Sequence, residues 1–164
     1  MAGYFYAPFN KKGNMKKIVK SRLLAVCGSK VLILKKVGKP LRYTLPGGVK
    51  KRKETDKQAL IRETGEEIEL QLTEEQVQFY MSHVNKTEAG IIIKNYYHAH
   101  FEPLKIKVLE KHKFQSALWL NWKKVIGFMD KSDRLAVKVY FKNLKTQNKN
   151  MSKNERTISS RIAM

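Results

Sequence analysis

The order of its segments places this 164-residue chain in the α+β class, with a mixed sheet enclosed by helices. Two short apolar runs typical of strands come first, a capped helical segment follows, and further strands precede two helical segments. The length fits one domain, and a hydrophobic content of 42% is enough for a packed core. We therefore expect a domain over residues 18–145, an N-terminal extension over residues 1–17 and a flexible basic tail over residues 146–164.

The first three elements are predicted to be strands. Residues 21–27 and 31–35 are apolar runs separated by Gly28-Ser29-Lys30, which indicates a hairpin with a tight turn. Residues 42–45 predict a short strand, which ends where Pro46-Gly47-Gly48 interrupts the pattern.

A helix is predicted over residues 56–67. Thr55 or Asp56 can cap its first turn, and the apolar run at residues 59–61 supplies contacts with a core.

The second half of the chain predicts three strands and two helices. Alternation of apolar and polar residues predicts strands over residues 77–84 and 90–101, and a short apolar run predicts another over residues 116–120. Helical periodicity predicts helices over residues 122–129 and 133–144.

The net charge is the unusual feature of the composition. Lys and Arg number 34 and Asp and Glu number 14, which gives +20. Such an excess attracts polyanions, including nucleic acid, nucleotides and polyphosphates; the alternative is a lysine-biased composition that only aids solubility. The single cysteine, Cys27, excludes an internal disulfide framework and a cysteine zinc site. No apolar stretch is long enough to span a bilayer, so we expect a cytoplasmic protein without a membrane partner.

The acidic residues are concentrated in one segment. No Asp or Glu occurs in residues 1–53, and eight of the 14 occur in residues 54–75. Carboxylates crowded on a short segment repel one another unless a cation lies between them, and Mg²⁺ prefers carboxylate oxygens. The segment therefore predicts a site for a divalent cation.

The spacing within this segment indicates how such a site is built. Gly47-Gly48 allows the backbone to turn sharply and to approach a ligand closely. Glu63, Glu66 and Glu67 stand at i, i+3 and i+4, so a helix projects their carboxylates from one face. Arg62 lies beside them and can pair with Glu54, which would tie the loop to the helix.

The segment at residues 45–70, LPGGVKKRKETDKQALIRETGEEIEL, resembles the Nudix box. The box is G-x5-E-x7-R-E-U-x-E-E-x-G-U, in which U is a bulky apolar residue. Gly48, Glu54, Arg62-Glu63 and Glu66-Glu67 match its first glycine and all of its charged positions. Two positions depart from the pattern: Thr64 replaces the first U, and Glu69 replaces the late glycine at which the helix is expected to end.

The resemblance implies a fold, an activity and roles for residues. It implies an α/β/α sandwich with a mixed sheet, and hydrolysis, dependent on Mg²⁺ or Mn²⁺, of a nucleoside diphosphate linked to another moiety. Glu63, Glu66 and Glu67 would be the catalytic metal ligands, joined by the Gly47 carbonyl, and Glu54 and Arg62 would be a structural pair.

A further carboxylate from outside the box is common in this family. Glu88, Glu102 and Glu110 are the available residues before Asp130. Glu88 is on a predicted loop and Glu102 at a predicted strand end, so both are candidates for an extra carboxylate that could reach the site.

A basic run lies inside the box loop. It comprises Lys50, Lys51, Arg52 and Lys53, between Gly48 and Glu54, where cations can neutralise phosphates. The alternative is a solvated loop. With the net charge, the run favours phosphate-rich substrates: nucleoside triphosphates, dinucleoside polyphosphates, inositol pyrophosphates or RNA 5′ ends.

Three functions stay open. They are a small-molecule pyrophosphohydrolase, an RNA 5′-end pyrophosphohydrolase or decapping enzyme, and a non-catalytic module that binds nucleotide or nucleic acid. His98 and His100 share a strand face, and we expect them to pack or to contact substrate rather than to bind metal. Tyr96, Tyr97 and Phe101 are candidates for stacking on a base.

Overall fold

The computed structural model describes residues 16–162, with side chains as far as Met151. It contains six strands: β1 Lys17–Cys27, β2 Lys30–Lys36, β3 Tyr43–Thr44, β4 Gln78–Thr87, β5 Gly90–His100 and β6 Phe114–Asn121. The α-helices are α1 Asp56–Ile68, α2 Trp122–Val125 and α3 Lys131–Ile162, and a 3₁₀ turn, Ile126–Phe128, follows α2.

The strands form one mixed sheet in the order β3-β2-β1-β5-β4, and β6 pairs with β2. Parallel pairing joins β1 and β5 from Lys17 opposite Ile91 to Val26 opposite His100. The other strand pairs are antiparallel. The long central pair β1–β5 therefore forms the platform on which both helical layers rest.

The two faces of the sheet carry separate apolar cores. Side chains alternate across a strand, so Leu23 and Ala25 of β1 face α1, whereas Leu24 and Val26 face α3. Leu60 and Ile68 of α1 pack on the first face, and residues of α3 such as Ala136, Val137 and Phe141 pack on the second. The expected α/β/α sandwich is confirmed.

Local sequence accounts for both ends of α1. The Thr55 hydroxyl accepts from the Gln58 amide, and the Gln58 side chain accepts from the Thr55 amide, which together form a capping box. The helix ends at Glu69, which adopts the left-handed conformation at φ 52° and donates its backbone N–H to the Thr64 carbonyl. The turn that a glycine usually makes is thus made here by a glutamate.

A buried aspartate joins α3 to the sheet. Asp133 has no exposed surface and accepts hydrogen bonds from the Tyr96 hydroxyl at 2.8 Å, the Lys94 ammonium at 3.1 Å and the Thr44 hydroxyl at 3.2 Å. Lys94 also binds Asp130 at 2.6 Å. Because a buried charge is stable only when it is paired, this cluster holds the start of α3 over β3 and β5.

Several boundaries differ from the sequence prediction. The helix expected to end at residue 144 continues to Ile162, so the segment expected as an irregular tail is helical over that range. The segment 122–129 is split into α2 and a 3₁₀ turn, and β4 extends through residues expected to form a loop. No helix among residues 16–162 is long and apolar enough to cross a membrane.

Candidate active site

The Gly47-Gly48 turn is attached to the edge of β1. Leu23 donates its backbone N–H to the Pro46 carbonyl at 2.9 Å, and Ser21 donates to the Gly48 carbonyl at 3.0 Å. Lys50 then donates to the Val19 carbonyl at 2.9 Å. These bonds extend the sheet by one short segment and fix the turn beside the C-terminal half of α1.

Close approach requires a glycine at position 47. Gly47 has φ 119°, and a Cβ there would overlap the Ser21 carbonyl oxygen. A Cβ at Gly48 would meet only the end of the Glu63 side chain, which would have to turn aside. The backbone of β1 therefore demands glycine at Gly47, whereas Gly48 leaves room for the present position of the Glu63 carboxylate.

Glu67 is the buried carboxylate of the site. The residue is 4% exposed, and its Oε2 accepts from the Gly47 amide at 2.8 Å. Burial raises the pKa of Glu67 to about 7, and the negative charges of Glu63 and Glu110 act in the same direction. The Gly47 amide and the Arg22 charge oppose this rise in pKa.

Arg62 organises the remaining acids of the box. Its guanidinium binds Glu54 at 2.5 Å, Glu63 at 2.8 Å and Glu66 at 3.0 Å. It also donates to the Val49 carbonyl at 3.0 Å. The hydrogen bond from Arg62, followed by that from the Lys51 amide, lowers the pKa of Glu54 to about 2. The structure thus brings together the expected pair Glu54–Arg62 and links it to two of the expected metal ligands.

Glu110 is a carboxylate near the site that the sequence prediction did not choose. The backbone amides of Leu109 and Glu110 donate to the Glu67 carbonyl at 2.9 and 3.4 Å. The Glu110 carboxylate pairs with Lys113 at 2.8 Å. The negative charges of Glu67 and Glu63 contribute to raising the pKa of Lys113, after the larger effect of Glu110. The small number of acidic residues between the box and Asp130 was the available sequence signal.

The two expected extra carboxylates lie elsewhere. Glu88 is exposed at the tip of the β4–β5 hairpin, and Glu102 is exposed just beyond the other end of β5. Among the side chains described through Met151, no hydrogen bond or ion pair joins either residue to the box glutamates. The geometry therefore gives no support to their proposed role as the extra carboxylate, whereas it supports that role for Glu110.

Arg22 is a second residue that the sequence prediction did not include. Its guanidinium donates to the carbonyl of Leu45 at 3.1 Å and to the carbonyl of Gly47. The Gly47 carbonyl is the backbone oxygen that the Nudix resemblance assigns to the metal. Arg22 lies next to the turn because the backbone amides of its neighbours Ser21 and Leu23 bind the carbonyls of Gly48 and Pro46.

The four residues of the basic run in the box loop have two different environments. Lys50 pairs with Asp56 at 2.9 Å and is therefore tied to the start of α1. The side chains of Lys51, Arg52 and Lys53 are exposed. Three of the four expected phosphate-binding candidates thus project from the loop into solvent.

The histidine and aromatic candidates lie on or near β5. His100 hydrogen-bonds the Tyr140 hydroxyl at 3.0 Å, and its ring packs against that of His98 with centroids 5.7 Å apart. Tyr96 has no exposed surface and binds Asp133, so it is not available to stack on a base. Tyr97 is 6% exposed and is also part of a core.

The donor set suits a hard divalent cation. Glu63, Glu66, Glu67 and the Gly47 carbonyl supply oxygen ligands, and the raised pKa of Glu67 reflects in part repulsion from neighbouring carboxylates that a cation would relieve. Among the described residues, no three His, Cys, Asp or Glu side chains already converge as a metal site. The Arg62 contacts of Glu63 and Glu66 therefore have to rearrange for these side chains to hold a metal.

A cavity of about 570 Å³ opens on the α3 side of the sheet. Lys20, His83, Asn85, Lys94 and Ser132 are among the residues that line it. Burial lowers the pKa of Lys20, and the charges of Arg22 and Lys94 lower it further. Lys20 lines the cavity and Arg22, two residues further along β1, binds the Gly47 carbonyl, so positive charge continues from the cavity to the turn.

Comparisons with known proteins identify the family. The family model of the NUDIX domain matches residues 18–141. No protein with a curated description matches the sequence.

Solved structures share the fold at low identity. The E. coli dihydroneopterin triphosphate pyrophosphohydrolase gives a TM-score of 0.65 at 17% identity, covering 76% of this chain and 95% of that chain. A C. elegans Ap4A hydrolase gives a TM-score of 0.61 at 21% identity, and the alignment covers 79% of this chain and 98% of that chain. A third neighbour is a Francisella tularensis bifunctional NMN adenylyltransferase/ADP ribose pyrophosphatase complexed with AMP and a Mn ion. It gives a TM-score of 0.63 at 21% identity, and the alignment covers 81% of this chain and 43% of that chain. With the family match over most of the chain, these findings show that the protein belongs to the NUDIX domain family, the Nudix hydrolases, which act on phosphoric anhydride bonds.

Proposed function

We propose that this chain is a Mg²⁺- or Mn²⁺-dependent pyrophosphohydrolase that cleaves a nucleoside diphosphate linked to another moiety. The observation that carries the proposal is the position of Glu67, buried against the Gly47 turn with Glu63 and Glu110 near enough to raise its pKa. Such a concentration of carboxylates beside a tight glycine turn suits a cation that bridges to phosphate oxygens.

The roles of the chain's residues follow from this arrangement. Glu63, Glu66, Glu67 and the Gly47 carbonyl would hold the metal, which when bound neutralises phosphate charge and polarises the anhydride. Glu54 anchors Arg62 beside the cluster, and Arg62 would release Glu63 and Glu66 as these two carboxylates turn to the metal. Water attacks one phosphorus, the P–O bond to the leaving phosphate breaks, and a carboxylate of the cluster accepts the proton of the water.

Glu110 is our candidate for the carboxylate contributed from outside the box. Its backbone is held on the Glu67 carbonyl, and its side chain pairs with Lys113. Lys113 in turn is a candidate for stabilising the leaving phosphate, because the charges of Glu63 and Glu67 act on it.

The cavity beside Lys20 is our candidate for the rest of the substrate. Its volume of about 570 Å³ lies within the range that small-molecule sites occupy. The cations Lys20 and Arg22 on one face of β1 support a phosphate-rich substrate that extends from the cavity towards the Gly47 turn. The nucleotide-linked compounds in the names of the structural neighbours support the same substrate class.

A panel of substrates with Mg²⁺ tests the proposal. It comprises nucleoside triphosphates, ADP-ribose, NADH, dinucleoside polyphosphates, inositol pyrophosphates and 5′-triphosphorylated RNA. We expect turnover of one class, abolished in Glu66→Gln and in Glu67→Gln while circular dichroism shows both folded. Glu74→Gln, the same change at an exposed glutamate of the acidic segment, is the matched control and should retain activity.

Two outcomes would contradict parts of the proposal. Full activity in both Glu66→Gln and Glu67→Gln would exclude the assigned metal ligands. Nucleotide binding without turnover of any substrate would support a non-catalytic module, and turnover of 5′-triphosphorylated RNA alone would support the RNA-directed alternative.

A further inference from the structure

The outer face of α3 carries one cation in each helical turn. Lys138, Lys142, Lys145 and Lys149 are separated by four, three and four residues, which an α-helix places on one face. We call these four residues the basic stripe. Because one turn rises about 5.4 Å, the stripe extends about 16 Å along the helix.

The stripe faces away from the sheet. Val137, Tyr140 and Phe141 on the other side of α3 are buried in the core. Lys142, Lys145 and Lys149 are exposed, and Lys138 is half-buried. The packing of the helix therefore leaves this row of ammonium groups on its solvent side, where a partner can reach it.

The stripe lies in a segment of α3 whose sequence has no acidic residue. Residues 134–154 contain six Lys or Arg and no Asp or Glu. Among the described side chains, no carboxylate lies within ion-pair distance of Lys138, Lys142 or Lys145. Like charges one turn apart destabilise a helix, and solvated helix faces usually mix both signs. A binding partner with regularly spaced negative charges would offset this repulsion.

The chemistry of the face distinguishes between two such partners. A helix that binds a membrane surface inserts an apolar face between lipids. In α3 that face is used against the sheet, as far as the half-buried Leu144. The exposed residues between the lysines are all polar, including Asn143, Thr146 and Asn148. A row of charges with polar neighbours suits a sugar-phosphate backbone rather than a bilayer.

We propose that the basic stripe is a nucleic-acid-binding surface that contacts the phosphate backbone. The proposal does not rest on the hydrolase activity, because α3 lies on the face of the sheet opposite α1 and its glutamates. It assigns no base sequence, since phosphate contacts position a strand without reading it.

The test compares two triple variants of equal net charge in the full chain. Lys138→Gln, Lys142→Gln and Lys145→Gln together neutralise three of the four lysines of the stripe. Lys86→Gln, Lys105→Gln and Lys124→Gln remove three exposed lysines elsewhere and serve as the matched control. The probes are a fluorescein-labelled 20-nucleotide single-stranded RNA and a 20-base-pair DNA duplex, followed by anisotropy from 50 to 200 mM KCl.

We expect the control to bind like the original chain and the stripe variant to bind at least tenfold more weakly. The slope of log affinity against log salt should fall by about one for each phosphate that the variant no longer neutralises. Preference for one probe identifies whether the surface suits a single strand or a duplex. Because Lys138 is half-buried, the double variant Lys142→Gln with Lys145→Gln gives the same comparison should the triple variant fail to fold.

Three results would overturn the proposal. Equal loss of affinity in the two triple variants would mean that net charge alone attracts nucleic acid. Absence of binding to both probes at 50 mM KCl would exclude the basic stripe as a nucleic-acid-binding surface. Stripe-dependent binding to phosphatidylserine vesicles without binding to either nucleic acid would assign the stripe to a membrane.

Discussion

Arg22 holds the carbonyl oxygen that the proposed metal site requires. Its guanidinium donates to the Gly47 carbonyl, and its charge lowers the pKa of Glu67 against the effect of burial. A divalent cation at the same oxygen has to displace the guanidinium and is repelled by its charge. We therefore expect Arg22→Met to bind Mn²⁺ roughly tenfold more tightly, measured by electron paramagnetic resonance without substrate.

Lys20→Met is the control that removes a nearby positive charge without removing a hydrogen bond to Gly47. Lys20 lies on the same face of β1 and interacts electrostatically with Arg22, but it has no hydrogen bond to Gly47 among the described contacts. We expect it to change Mn²⁺ affinity less than Arg22→Met does. Weaker Mn²⁺ binding in Arg22→Met would mean that Arg22 supports the Gly47 turn instead of competing with the metal.

Glu67 couples folding to pH in the metal-free protein. Burial raises its pKa to about 7, whereas an unfolded glutamate titrates near about 4.3. Between these values the folded chain holds a proton that the unfolded chain has released, so stability decreases as the pH rises. Urea unfolding in EDTA should show a loss of roughly 2 kcal/mol from this group between pH 5 and 7.5.

The comparison with Glu67→Gln isolates this contribution, because glutamine does not titrate. We expect the variant to lack this part of the pH dependence while keeping the contributions of all other groups. An identical pH dependence in both proteins would contradict the raised pKa of Glu67.

At the scale of elements, two glycines near α1 have opposite environments. Nothing lies within 4 Å of a Cβ added at Gly65 in the helix interior, so Gly65→Ala should stabilise the protein by about 0.5–1 kcal/mol. Gly47→Ala should destabilise it by more than about 1 kcal/mol, because its φ of 119° and the Ser21 carbonyl exclude a side chain. Urea unfolding measures both, and equal effects of the two substitutions would contradict the described geometry of the turn.

The elements that the sequence predicts well are those with local signals. The helix expected over residues 56–67 is found at Asp56–Ile68, and its start has a local signal because Thr55, just before the helix, and Gln58 in its first turn form a capping box. The continuation of α3 to Ile162 was missed, because the polar segment after residue 145 has no apolar periodicity to indicate a helix.

The residues of the candidate site likewise differ in how well the sequence predicts them. The spacing of Glu63, Glu66 and Glu67 is local and marks the box directly. Glu110 comes to the site through backbone contacts with Glu67 across 43 residues of sequence, and Arg22 reaches Gly47 through the pairing of β1 with the turn. No periodic pattern in the sequence indicates either contact, because the tertiary structure alone brings these residues together.

On the scale of the whole molecule, the acidic segment and the basic stripe lie on opposite sides of the sheet. The acidic segment supplies α1, whereas the stripe lies on the outer face of α3, whose first turn also carries the buried Asp133. A chain of net charge +20 thus keeps its densest group of carboxylates apart from this row of lysines. The glutamates of α1 and the basic stripe can therefore be altered independently.

The packing of α3 predicts how much of the chain the fold requires. Tyr140 and Phe141 are buried and Leu144 packs beside them, whereas residues 145–151 are exposed. A chain ending at Lys145 keeps every core side chain of α3 among those described through Met151, so it should retain its melting temperature to within about 2 °C. Thermal unfolding by circular dichroism measures this, together with turnover of the substrate identified for the full chain.

A chain ending at Lys138 provides the contrast. It lacks Tyr140, Phe141 and Leu144, and loss of each large buried side chain costs about 2–5 kcal/mol, so the total approaches the whole stability of a small domain. We expect this shorter chain to be unfolded at 25 °C. Unfolding of the chain that ends at Lys145 would instead mean that the extended part of α3 contributes to the fold, because the core residues of the helix among the described side chains would still be present.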